Sequence, residues 1–256
     1  MALSCRFFYS KRNGAFPTLI SIITMFFAGG AFFGGKLIAA CMLTGLILLS
    51  VGLTFACSKL LSKTLLKGEA SSFVLEMPAY RRPQIGKVIV RSVLDRTLFV
   101  LGRAAAVAAP AGLLLWLMAN ISIEGSSLMA WCAQFLQPFA NALGLDGAIL
   151  LAFILGLPAN EIVIPIVLML YTGAGTMMDL GDLSAMKALL VANGWTIRTA
   201  LCTLLFMLVH WPCSTTLITI RKESGSWKWM FLAALLPTLA GILLCLLVNL
   251  GFSLFA

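Results

Sequence analysis

Six long apolar stretches set the terms for this chain: residues 16–35, 37–58, 97–119, 148–171, 199–220 and 230–256. Each reaches the roughly 18 to 20 residues needed to cross a hydrocarbon core of about 30 Å. Backbone amides in lipid must be bonded within their own segment, so these stretches are expected to be helices. The alternation that a membrane barrel requires is absent. With 61% hydrophobic and only 11% charged residues, against about 45–50% and about 25% in soluble domains, the chain reads as an all-α, polytopic, helical membrane protein.

Charge then gives orientation. The net charge of +9 is concentrated between Lys59 and Arg103, where nine basic residues face three acids. A juxtamembrane excess of this kind marks the cytoplasmic side and its lipid headgroups, not nucleic acid. The organisation expected is two spans over 1–58, a basic cytoplasmic loop over 59–96, and a larger membrane module over 97–256. Within and beyond the loop, Lys87, Arg91 and Asp95 recur every four residues, which suggests an interfacial amphipathic helix over 85–103. The tryptophans fall mostly at span ends, as an aromatic belt would. Residues 16–35 are too long for a signal peptide core and read as a retained span. The seven cysteines form no C-x-x-C pair and lie mostly in apolar stretches, which argues against a disulfide framework.

The segment "RKESGSWK" (221–228) carries three basic residues against one acid, so it too belongs on the cytoplasmic side. An odd number of crossings must then separate residue 121 from residue 221, yet two apolar stretches intervene. One of them therefore does not cross fully. The stretch 148–171 is the stronger candidate, because Gly156, Pro158 and Pro165 interrupt it and proline deletes a helix donor. A re-entrant or broken helix centred on "PANE" (158–161) follows; the alternative is that residues 183–195 dip into the membrane.

Glu161 is the acid set deepest in an apolar stretch, beside Asn160. Intramembrane ionisable groups cost at least about 2.5 kcal/mol and usually face a cavity or a partner. At a break, freed carbonyls together with Asn160 and Glu161 could line an ion path; Glu161 could equally stabilise the start of the second half-helix by its charge. A second constellation is "HWPCSTT" (210–216), with the only histidine of the chain, His210, a break at Pro212, and Cys213. Imidazole and thiolate bind late first-row divalent metals; a buried cysteine can also be a plain apolar filler. Nothing supplies a third partner for Cys/His hydrolysis, no phosphate-loop motif is present, and no tightly bound cofactor is expected.

The stretches "NGAFPTLISIITMFF" (13–27), "GEASSFVLEMPAYRRPQ" (68–84), "ILLAFILGLPANEIVIPIVLM" (149–169) and "NGWTIRTALCTLLFMLVHWPCSTTLITIRKESGSWKW" (193–229) resemble, in order, the membrane portion of the ferrous iron transporter B family, FeoB. The resemblance implies an Fe(II) importer of the bacterial inner membrane, with Fe2+ as substrate and with two related gates. It implies that Asn160 and Glu161 belong to the signature of the second gate and that Cys213 is that gate's cysteine. It also implies a partner chain supplying the GTPase domain and most of the first gate. Relatives carry P-C-N-G-x-F-P-T at the end of the first gate; here Lys11 and Arg12 replace proline and cysteine. Other readings are a non-transporting membrane scaffold and a gate-fold carrier of another divalent cation.

Overall fold

The computed structural model describes residues 12–27, 34–64, 84–123, 125–173 and 182–255. Eleven α-helices are seen among them. Helices α1 (Arg12–Phe27) and α2 (Gly34–Thr64) are followed by α3 (Ile85–Arg91), a π-helical turn (Ser92–Leu98) and α4 (Phe99–Asn120) in unbroken succession. A two-stranded antiparallel ribbon, Ser122–Ile123 with Ser126–Ser127, reverses the chain. Then come α5 (Leu128–Ala142), α6 (Gly147–Leu155), a 3-10 turn (Asn160–Ile162), α7 (Val163–Thr172), α8 (Leu183–Ala192), α9 (Ile197–Val209), α10 (Ser214–Ser224) and α11 (Trp227–Phe255).

Length and exposure sort these helices. Three segments are long and apolar enough to cross a membrane: Gly34–Leu61, Ile197–Ser224 and Trp227–Leu254. At 1.5 Å per residue, the 28 residues of Gly34–Leu61 and of Trp227–Leu254 each extend to about 42 Å of helix, whereas Ile197–Ser224 is α9 and α10 joined across residues 210–213. Helices α2 and α11 turn large apolar side chains outward, among them Leu48, Phe55, Phe231 and Leu243. A contiguous exposed apolar face on that scale suits contact with lipid chains. Inside lie α6, α7 and α9, whose Phe153, Ile166, Leu168 and Phe206 are fully buried. Leu19, Ile22 and Ile23 of α1 belong to the same hydrophobic cluster, and α1 packs against both α9 and the 3-10 turn.

The structure changes several sequence expectations. The stretch 148–171 is broken at 156–162 as expected, but Pro165 is not a break. It is the third residue of α7, where the backbone N–H has no helical partner to lose. A second bend was not foreseen: α5 and α6 meet at 107° across residues 143–146. Gly147 carries it, because its N–H donates to Gln137 Oε1 at 2.8 Å and a β-carbon there would collide with the Ala133 carbonyl. Gly144 in the same turn has φ +70°, with Cys202 Sγ and Asn249 Oδ1 against it.

The basic loop begins later than 59, since Lys59 and Lys63 lie on α2. Residues 65–83, including Lys67, Arg81 and Arg82, lie outside the described residues, as do Cys5 and Lys11. The interfacial helix of 85–103 is not a separate element; it runs through the π turn into α4. Trp195 is no belt residue. It is 3% exposed, its ring stacks on Phe26 at 5.9 Å, and its Nε1–H donates to Tyr171 Oη at 2.9 Å. Tyr171 in turn donates to Asp146 Oδ2 at 2.7 Å. This chain of bonds ties the α5–α6 bend to the end of α7 and to the turn before α9.

Candidate functional site

Each of the two proline breaks follows from local chemistry. After α6 the chain leaves the helix at Gly156 and reaches Ala159 in extended backbone (φ −150°, ψ 122°), since Pro158 has no N–H and pushes its predecessor out of the α region. After α9, His210 and Cys213 take extended torsions (ψ −179° and 154°) around Pro212. Helix α10 then starts at Ser214.

The breaks meet. The Ser214 N–H donates to the Leu157 carbonyl at 2.9 Å, so a carbonyl freed by one break takes an amide freed by the other. Beside this bond, His210 Nε2 lies 3.3 Å from Asn160 Oδ1. Asn160 and His210, singled out from sequence 50 residues apart, are therefore neighbours.

His210 is fully buried and tightly held. Its Nδ1 is 3.0 Å from both the Phe206 and the Met207 carbonyl oxygens. Carbonyls only accept, so Nδ1 carries a proton, and in its neutral form the ring has its lone pair at Nε2. The ring is enclosed by Phe153 at 5.0 Å, Trp211 at 5.7 Å and Phe206, stacked at 5.8 Å. In that form Nε2 and the Asn160 side chain can be joined in two ways. The amide can turn to donate its NH2, or a cation can take the imidazole nitrogen and the amide oxygen together.

Cys213 occupies the N-cap of α10. Its sulfur is 3.1 Å from the hydroxyls of both Thr215 and Thr216. With those hydroxyls donating, their dipoles and the positive end of the helix converge on the sulfur. Glu161 follows Asn160 in the 3-10 turn and is exposed. Its charge precedes α7, where a negative group is favoured, although it makes no cap bond. Among the described residues no group of three or more His, Cys, Asp or Glu side chains stands close enough to hold a metal ion. The structure therefore brings Asn160 to His210 and places Cys213 at the same junction's helix start, without assembling a closed metal cage.

Two more polar atoms of this stretch, Trp211 Nε1 and Ser214 Oγ, are buried without partners. Buried polar atoms of this kind are rare and call for an explanation such as water or a bound species. Sequence reading missed the enclosure by Phe153 and Phe206, which nothing in the pattern distinguishes from ordinary core. It also missed Thr215 and Thr216 as partners of the sulfur; their spacing from Cys213 by two and three residues is the available signal.

Comparison with known proteins fits this architecture. The Gate family model, described as nucleoside recognition, matches residues 101–227, and the ferrous iron transport protein B C terminus model matches residues 43–95. The Fe(2+) transporter FeoB of Staphylococcus aureus (strain MSSA476) is 27% identical over 209 residues, covering 78% of this chain and 30% of the relative. The FeoB of Leptospira interrogans serovar copenhageni is 26% identical over 253 residues, covering 89% of this chain and 36% of its own length. A Fe(2+) transport protein A/Fe(2+) transporter FeoB fusion protein of Porphyromonas gingivalis is 24% identical over 273 residues, with 88% and 32% covered. The chain thus spans about a third of the length of these curated relatives. No solved structure matches. Two adjoining family models and relatives aligned along most of its length make this membrane protein similar to the C-terminal membrane portion of FeoB proteins.

Proposed function

We propose that this chain is the permease part of a ferrous iron transporter in a bacterial inner membrane, and that Fe(II) passes the junction of its two broken helices. The observation that carries this reading is the pairing of His210 Nε2 with Asn160 Oδ1 at 3.3 Å. Nitrogen and oxygen ligands bind divalent first-row metals at about 2.1 Å. Two such ligands on adjacent corners of a tetrahedron or octahedron stand about 3.0 to 3.4 Å apart. The pair therefore offers a cation one edge of a coordination shell, with the remaining positions left to water or to a moving residue such as Cys213 or Glu161. A conduction site must also release its ion, so an incomplete shell suits passage better than a closed cage. In the assembled transporter, a partner polypeptide or domain supplies the GTPase and the first gate, and Fe2+ is cargo.

The test is Fe(II) uptake into proteoliposomes containing the assembled transporter. His210→Ala, Asn160→Ala and Cys213→Ser are each expected to lower uptake by about tenfold or more, the scale on which losing one oriented metal partner acts. Wild-type uptake in all three would reject the path. Parallel assays with Mn(II) and Zn(II) separate Fe(II) carriage from a broader divalent carrier, and no uptake of any of the three metals would favour the scaffold reading.

A further inference from the structure

The turn between α10 and α11 holds a cavity of about 380 Å3 lined by Ile218, Arg221, Lys222, Gly225 and Trp227. The guanidinium carbon of Arg221 lies 3.5 Å from the centroid of the Trp227 ring. A guanidinium held on an indole face is fixed in place, yet its N–H donors remain suited to an oxyanion. Among the described residues no acceptor takes them. Lys222 shares the cavity, Lys228 follows one residue after Trp227, and Glu223 is the one acid of the segment. The first turn of the 29-residue α11 adds the positive end of a long helix.

A second observation says what kind of anion belongs here. From Trp227 an exposed apolar stripe winds along α11 through Phe231, Leu235, Leu239 and Leu243. Trp227 to Leu239 is about 18 Å of helix, close to the roughly 15 Å depth of one leaflet of hydrocarbon. Cations at one end and a leaflet-deep apolar track leading from them match a molecule with a phosphate head and a hydrocarbon tail. Free phosphate would gain nothing from the track.

We propose that this turn is a binding site for the phosphate headgroup of an anionic phospholipid whose acyl chain lies along the α11 stripe. The site is on the far side of α10 from the His210–Asn160 junction in sequence and does not depend on which ion, if any, the junction conducts. Its test reads lipid retention and leaves iron uptake aside.

The full chain, purified in a zwitterionic detergent, is titrated with phosphatidylglycerol and with phosphatidylcholine of identical acyl chains, and retention is read by native mass spectrometry. The wild type is expected to retain phosphatidylglycerol preferentially. Lys222→Ala with Lys228→Ala, which leaves the Arg221–Trp227 stack intact, should weaken that retention about thirtyfold, from about fivefold per cation near the membrane surface, with phosphatidylcholine unaffected. Arg221→Ala should weaken it by at least fivefold, and Lys222→Glu with Lys228→Glu should abolish the preference in a chain that elutes as the wild type does. Equal retention of the two lipids by the wild type, or unchanged preference in these variants, overturns the proposal. Displacement of phosphatidylglycerol by millimolar inorganic phosphate would also overturn it, in favour of a soluble phosphate ligand.

Discussion

Replacing Tyr171 by phenylalanine removes one oxygen atom and tests the tie across the α5–α6 bend. The hydroxyl donates to Asp146 Oδ2 at 2.7 Å and accepts from Trp195 Nε1 at 2.9 Å. Its loss strands the Trp195 N–H in a residue only 3% exposed, which costs about 1 to 3 kcal/mol. Asp146 is half-buried, so water recovers part of its lost bond, and about 1 kcal/mol is added there. The expected loss is about 2 to 4 kcal/mol, measured by reversible unfolding in mixed micelles with increasing SDS. Trp195→Phe removes the donor itself. In Tyr171→Phe with Trp195→Phe no stranded N–H remains, so the double variant should be less destabilised than the sum of the singles by about 1 to 2 kcal/mol. A Tyr171→Phe protein within about 0.5 kcal/mol of wild type, or strict additivity, would refute the tie.

Three further outcomes are expected. Ser214→Pro deletes the N–H that reaches Leu157 while placing proline at the first helical position, which tolerates it. Labelling of Cys213 by a thiol reagent, in a chain with its other cysteines replaced, should then rise about five- to tenfold, as losing about 1 to 1.5 kcal/mol implies; no change would mean the bond does not hold the junction. Gly147→Ala should destabilise the α5–α6 pair by about 3 kcal/mol or more, read in the same unfolding assay, because the added methyl meets the Ala133 carbonyl. Asp182 caps α8 by accepting from Ser184 N at 3.0 Å and from Ser184 Oγ at 2.7 Å, and these bonds hold its carboxyl below the usual range. A depressed carboxyl stabilises above its unfolded value near 3.9 and loses that contribution as pH falls through the folded value. Asp182→Ala should therefore lower the thermal midpoint at pH 7 and lower it less at pH 3; an equal effect at both would count against a charged cap.

How much of this was legible in the sequence depended on whether a residue's role was local. Pro158 and Pro212 announced their breaks because a missing N–H acts on its own turn. Pro165 carries the same deletion, but in the first turn of α7 there was no bond to delete, and only the position of the helix start reveals that. Asn160 and His210 stood out as polar residues in apolar company, yet their pairing across 50 positions depends on how α9 lies against the 3-10 turn. Trp195 looked like a belt residue because tryptophan ends many helices in membranes; its partner Tyr171, 24 positions earlier, sets it inside instead. The α5–α6 bend was invisible for the opposite reason. It lies just before the apolar stretch 148–171, and the turn rests on how closely one glycine, Gly147, approaches the Ala133 carbonyl.

The bond from Ser214 N to Leu157 O has a consequence for how a path here could open. Two helix ends splice into one another, peptide to peptide, so parting them bares a donor and an acceptor at once. In a dry gap that separation costs about 4 to 6 kcal/mol, whereas with water available the net cost falls to about 1 kcal/mol. Parting and wetting are then a single event, with solvent acting as the lubricant of the gate. A transporter built this way should slow under osmotic dehydration even when its ion and its energy source are in excess.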